Sequence, residues 1–200
     1  VESQLLSFMD QGGKSLLSWL SMSTDVKDGN IDGIFTWHLA SKSNVSAPRH
    51  IFVALQNTNR LGSQEHSHMI FDQINVNDIS LKINGQQEPS VNIELDYASN
   101  NIARVYRRLL SFMARDQNVD TGLQISQFDF RSLYPIYYFS LEHLDLTRQS
   151  VVDIYFRARI QRPAGIDNYR AATVILSDKS MLLEGSGGRM RIIDAPIENL

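Results

Sequence analysis

The sequence predicts an all-β fold, an antiparallel sandwich. Three observations carry that prediction. Residues 74–89 alternate: Ile74, Val76 and then Ile79, Leu81 and Ile83 point one way and polar residues the other, before Asn84-Gly85 closes the run. Period-two alternation marks a half-buried strand, and Asn-Gly suits a tight turn that needs positive φ. The same alternation recurs at 34–39, 91–97 and 150–160. Helical periodicity is clear in one segment, residues 99–115.

The N-terminal residues hold two apolar clusters, Leu5/Leu6/Phe8/Met9 and Leu16/Leu17/Trp19/Leu20/Met22, separated by Gly12-Gly13. They read as two short helical or irregular pieces that cannot bury themselves alone. Residues 25–33 are polar with two glycines and read as a loop. The segment 1–33 is therefore expected to be a partly helical linker or docking element, and 34–200 the sandwich domain. Ile34–Leu39 alternates and opens the regular structure. Arg49–Gln56 carries Ile51, Phe52, Val53, Ala54 and Leu55, a run suited to a strand covered on both faces. Residues 57–68 are polar and loop-like.

After the 74–84 strand, Val91–Tyr97 is expected to form another. Ser99 or Asn100 can cap the helix that follows. Its apolar face is Ile102, Val105, Tyr106, Leu109 and Met113, with Arg104, Arg107, Arg108 and Arg115 opposite. Residues 126–130 fit either a further helical turn or an extended piece. Tyr134–Leu141 is aromatic and strand-forming. Ser150–Ile160 sets Val152, Ile154, Phe156, Ala158 and Ile160 on one face and Asp153, Arg157 and Arg159 on the other. Ala171–Leu176 and Met190–Ile193 complete the strands, with a loop marked by Gly185, Gly187 and Gly188 between them. About eight strands with turn signals between them, one amphipathic helix in a long connection and a short N-terminal helical segment make an eight-stranded jelly roll.

Composition agrees with a globular chain. The 200 residues are 42% hydrophobic and 20% charged, enough for one large β domain to bury a core. A net charge of −3 gives no global attraction to nucleic acid or an anionic membrane. The chain has no cysteine, which excludes disulfides, thiol nucleophiles and thiolate metal sites and fits synthesis in a reducing compartment. No apolar run approaches the roughly 20 residues of a membrane span. The first residues show no basic stretch or cleavage pattern, so no signal peptide is expected. Asn44-Val45-Ser46 is a formal glycosylation sequon.

The order of motifs resembles a known family. An Arg precedes an apolar strand ending in Gln at Arg49–Gln56. The strand ending Ile83-Asn84-Gly85, with Pro89, comes next, then a helix carrying Tyr106, then Phe128. Tyr134-Pro-Ile-Tyr-Tyr-Phe-Ser-Leu141 and the basic–apolar strand Val151–Ile160 follow. In this order they resemble the C-terminal half of the double jelly-roll major capsid proteins of DNA viruses, nearest in flavour to Polinton (Maverick) and adintovirus-like elements. The resemblance covers residues 34–194. Family members usually carry Asp after the Phe of the aromatic strand, where this chain has Ser140. They also have two jelly rolls, and this length supplies one. The resemblance implies a structural, non-enzymatic capsid protein of the virion, made in the host cytoplasm or nucleus. It further implies self-association into trimers or larger capsomers of an icosahedral shell, alongside other capsid proteins. No cofactor, small-molecule substrate, sequence-specific nucleic acid or transmembrane segment is expected. The interface residues expected are Leu16, Leu17, Trp19 and Leu20 with Arg104, Arg107 and Arg108. The alternative function is a monomeric jelly-roll module that binds carbohydrate or another ligand.

Glu65, His66 and His68 form the best metal-like cluster, and His38, His50 and His143 could join only through folding. Zinc needs three or four rigidly held ligands, and no spaced ligand motif is present. Gly185-Ser-Gly-Gly-Arg189 lacks the Lys-Ser/Thr pair and strand-to-helix context of a phosphate loop, and Ser186 lacks hydrolase elbow spacing. Asp129, Glu142 and Asp145 show no pairing that would make a glycosidase couple. A solvated outer face explains the helix arginines, and cross-strand ion pairs explain Arg157 and Arg159. Tyr137 and Phe139 share a strand face and are expected in the core. No catalytic or metal-binding residue is predicted.

Overall fold

A computed structural model describes residues 14–29, 33–43, 47–58, 67, 70–116, 125–144, 151–161, 168–186 and 189–193. Among the described residues are nine strands and two helices: β1 (Lys14–Gly29), β2 (Gly33–Ser43), β3 (Ala47–Asn57), β4 (Val76–Ile83), β5 (Gln86–Glu94), α1 (Ala103–Asp116), α2 (Gln127–Ser132), β6 (Tyr137–Ser140), β7 (Val151–Ile160), β8 (Tyr169–Ser186) and β9 (Arg189–Ile193). One sheet runs β1-β8-β3-β6, with β9 also paired to β8, and the other runs β2-β7-β4-β5. Every described strand pairing is antiparallel. Successive strands β1 to β8 thus interleave between two sheets as paired Greek keys, the jelly-roll order.

The eight expected strands become nine described ones, because β1 is added. Residues 14–23, expected as helical or irregular, belong to β1, and so do residues 25–29 of the expected loop. β1 pairs with β8 without interruption from Lys14↔Glu184 to Gly29↔Tyr169. Ladder hydrogen bonds to a long partner strand outweigh the weak local pattern of Leu16-Leu17-Ser18-Trp19-Leu20. β9, expected as the eighth strand, instead forms a hairpin with the far end of β8.

Other expectations are met in detail. The two-residue turn Asn84-Gly85 joins Ile83 to Gln86, with φ of 49° and 84°. Positive φ at both central residues is the primed geometry that matches strand twist. The phase slip between Val76 and Ile79 is a bulge: Val76 pairs with Ile160 and Asp78 with Arg159, leaving Asn77 as the extra residue. Val76 and Ile79 are both buried as a result. In β7, Val152, Ile154, Phe156, Ala158 and Ile160 are all buried. Arg159 makes the expected cross-strand pair, 3.3 Å from Asp78. Ile93, Leu95 and Tyr97 face inward, whereas Val91 is exposed. The first bond of α1 runs from the Tyr106 N–H to the Ile102 carbonyl, so Ile102, rather than Ser99 or Asn100, holds the cap position. Residues 127–132 are helical, capped by Ser126, whose side chain accepts from the Asp129 N–H.

The core fills the space between the sheets. Phe156 of β7 meets Phe139 of β6 edge-on at 6.2 Å, joining the two layers, and Phe35 of β2 at 6.3 Å. Tyr97 and Tyr137 join their hydroxyls at 2.9 Å in the interior. Burial pushes both phenols well above the ordinary 10.0. Both therefore stay neutral in the fold while unfolded tyrosine ionises near pH 10. Their contribution to stability is complete below pH 10 and is lost as pH rises beyond it. Alkaline titrations followed by circular dichroism should show Tyr97→Phe flattening that loss by about 1.4 kcal/mol per pH unit, one proton's worth. An unchanged slope would refute the buried pair.

Candidate assembly surface

The outer side of the β1-β8-β3-β6 sheet divides into a covered half and an open half. Over β3 and β6 lies α1. Phe112 of α1 stands 4.8 Å from Phe52, 5.1 Å from His50 and 5.1 Å from Tyr138, measured between rings. Beneath it the His50 Nδ1 and Tyr138 hydroxyl are 2.9 Å apart. This explains why β3 is covered on both faces, as its apolar run predicted. Ile51, Val53 and Leu55 face the sandwich interior, and the other side lies toward the helix.

Over β1 no described element lies. Leu20 is 50% exposed, Met22 69% and Val26 57%, and Leu16 is similarly open. Register places Leu16 beside Leu182 and Met22 beside Leu176, so these side chains share one continuous outer face. Leu17 and Trp19, on the other face of β1, are also exposed. They lie where β1 and β8 run past the start of β3, which reaches only as far as Ala47↔Asp178. Beyond that point β9 takes the place of β3 beside β8, from Leu182↔Ile193 to Ser186↔Arg189. Large apolar side chains concentrated along one uncovered strand mark an interaction surface, whereas scattered ones need no explanation.

Ion pairs bracket this surface. Lys14 is 3.6 Å from Glu184. Arg170 grips Asp28 in a forked pair, Nε to Oδ1 at 2.6 Å and Nη2 to Oδ2 at 2.8 Å. The Arg170 hydrogen bonds hold the Asp28 carboxyl below its ordinary range. Arg49 pairs with Asp178 at the β3–β8 junction.

Of the seven expected interface residues, Leu16, Leu17, Trp19 and Leu20 lie together on β1. The three arginines lie on α1, above the opposite edge of the same sheet. Arg104 and Arg107 are exposed, while Arg108 is half-buried. Burial, reinforced by Arg104, pushes the Arg108 guanidinium below its ordinary value, and Glu88 opposes that shift. Missed by the sequence reading was Met22–Val26 as part of the same surface. The available signal was the polar–apolar alternation Leu20-Ser21-Met22-Ser23, which continues into β-prone Thr24 and Val26.

The enzyme-like candidates do not come together. Within the β2-β7-β4-β5 sheet, His38 stacks on Tyr155 at 4.6 Å and lies 3.4 Å from Asp153. His50 is under α1, and His143 is 3.5 Å from Glu88. Glu65, His66, His68 and Asp145 fall outside the described residues. Among the described residues no group of three or more His, Asp or Glu converges on a metal position. Asp129 is occupied in the α2 cap and Glu142 accepts from Ser140. Ser186 and Arg189 are opposed in the β8–β9 hairpin, the inter-strand setting expected of that glycine-rich stretch. Tyr137 and Phe139 are in the core as expected, and Tyr138 is buried under α1. No described helix is long and apolar enough to cross a membrane.

No family model and no curated protein matches the sequence. Among solved structures, the chain is similar to the mavirus major capsid protein, with 11% identity and a TM-score of 0.47 over 90% of this chain and 41% of that one. It is similar to a chain of the Sputnik virophage, with 11% identity and a TM-score of 0.49 over 93% of this chain and 40% of that one. A chain of the PBCV-1 virus capsid gives 9% identity and a TM-score of 0.43 over 98% of this chain and 55% of that one. The chain spans about two-fifths to just over half the length of these structures.

Proposed function

We infer that this chain is a structural capsid protein of a virus or virus-derived element, working through contacts between jelly rolls. The observation that carries the reading is the apolar edge strand β1, open on its outer face in a complete jelly-roll strand order. The motif order from Arg49 to Ile160 supports it. In this reading the chain self-associates into trimers or larger capsomers of an icosahedral shell and meets other capsid proteins in the virion. The docking role expected of the N-terminal segment is assigned in this reading to β1, itself a strand of the sandwich. Arg104 and Arg107 serve as polar contacts at the rim. The chain is not an enzyme and needs no cofactor, because its function lies in surfaces that bury at least about 1,000 Å² per specific contact.

Light scattering of the purified chain, paired with negative-stain microscopy, tests this. Trimers or larger regular assemblies are the expected result. A strict monomer at every concentration would overturn the reading and favour the monomeric carbohydrate- or ligand-binding module.

A further inference from the structure

The sheet that ends in β1 has a partner written into its own sequence. β1 is a 16-residue strand at the edge of its sheet among the described residues. Such an edge offers unpaired backbone groups to another strand. Two copies related by a two-fold axis perpendicular to the sheet would pair antiparallel. Opposed residues must then share a face, so their numbers must sum to an even value.

One register matches the chemistry along the strand. With Ser21 opposite Ser21 of the second copy, Lys14 opposes Asp28, Leu16 opposes Val26, Ser18 opposes Thr24 and Leu20 opposes Met22. Charge meets opposite charge, hydroxyl meets hydroxyl, and the exposed apolar residues cover one another. A shift of two residues either way sets Lys14 opposite Val26 or Leu16 opposite Asp28. The other face gains less, pairing Trp19 with Ser23 and Leu17 with Asp25.

Existing ion pairs extend the match. Lys14 sits beside Glu184 and Asp28 beside Arg170 within each copy. Across the junction the order becomes Glu184, Lys14, then Asp28 and Arg170 of the second copy. That is a row of alternating sign over four adjacent strands, repeated at the other end by symmetry. Opposite charges side by side on neighbouring strands stabilise the pairing, and like charges would oppose it.

We propose that two copies of this chain join β1 to β1 about a two-fold axis, with Ser21 at its centre, to make one continuous sheet. This deepens the assembly reading by naming the partner and register of the β1 surface, and it rests on that surface being an assembly contact. Residues directly opposed in such a ladder have Cα atoms about 4.5–5.5 Å apart, within the about 4.4–6.8 Å that a disulfide bridges. The chain has no cysteine, so single-cysteine variants give clean readouts.

Oxidised Ser21→Cys in the 200-residue chain is expected to run on a non-reducing gel at twice its 22.7 kDa mass. Ser15→Cys is the control. Ser15 of one copy faces Lys27 of the other, so the two Ser15 positions lie about 40 Å apart at about 3.3 Å per residue. It is expected to stay monomeric on the gel. Circular dichroism verifies that both variants are folded. Equal cross-linking of the two, or no dimer from a folded Ser21→Cys chain, would overturn the proposal. Regular particles from a chain whose Ser21→Cys variant does not cross-link would leave the capsid reading standing and remove this register. Covalent dimers without larger assemblies would do the reverse.

Discussion

Phe156→Ala should be the most damaging single substitution in this protein. Phe156 is fully buried, belongs to the β2-β7-β4-β5 sheet, and meets Phe139 of the opposite sheet at 6.2 Å. It also contacts Phe35 across its own sheet at 6.3 Å. Alanine would leave a cavity at the point where the layers join, with rigid strands on both sides that cannot collapse into it. A buried Phe→Ala change costs about 3–5 kcal/mol, a large part of the about 5–15 kcal/mol that holds a typical domain together. Urea unfolding followed by the fluorescence of buried Trp37 should show a midpoint far below the parent's, or no folded baseline. A loss under about 1 kcal/mol would mean that the sheets do not meet through this ring.

Lysines at both Leu20 and Met22 should give the largest effect on assembly with little effect on the fold. Both side chains are half-exposed or more, and surface changes of this kind usually alter stability by less than about 0.5 kcal/mol. At an interface the same ammonium groups would be stripped of water, and the one carboxylate opposite position 20, Asp178, is already paired with Arg49; such burial costs several kcal/mol. In the β1-to-β1 register they would also lie opposite one another. Size-exclusion chromatography with light scattering should report a monomer where the parent assembles, with an unchanged urea midpoint. Assembly at the parent's level would show that the outer face of β1 is solvent-facing in the particle. A collapsed urea midpoint would make β1 part of the folded core and not a docking strand.

The sequence by itself determined much of the sandwich. A strand with one wet face needs alternation, so Val151–Ile160 was legible residue by residue. A two-residue hairpin needs positive φ, so Asn84-Gly85 located the β4–β5 turn. Even the bulge at Asn77 was present as a slipped phase between Val76 and Ile79. The inward pair Tyr137 and Phe139 followed from parity alone.

Tertiary structure decided the rest, because local pattern reports burial and not pairing. β1 buries little, so Leu16–Leu20 carries no alternation and Leu20–Val26 only a short one, and the ladder to β8 makes the whole segment a strand. Nothing local distinguishes Tyr138 from an exposed tyrosine until Phe112 of α1 packs over it. The open half of the sheet exists because α1 covers β3 and β6 and stops short of β1. That division places Leu16, Leu20, Met22 and Val26 on one face that no described element covers. Only the β1–β8 register sets Lys14 and Asp28, at opposite ends of that face, beside Glu184 and Arg170.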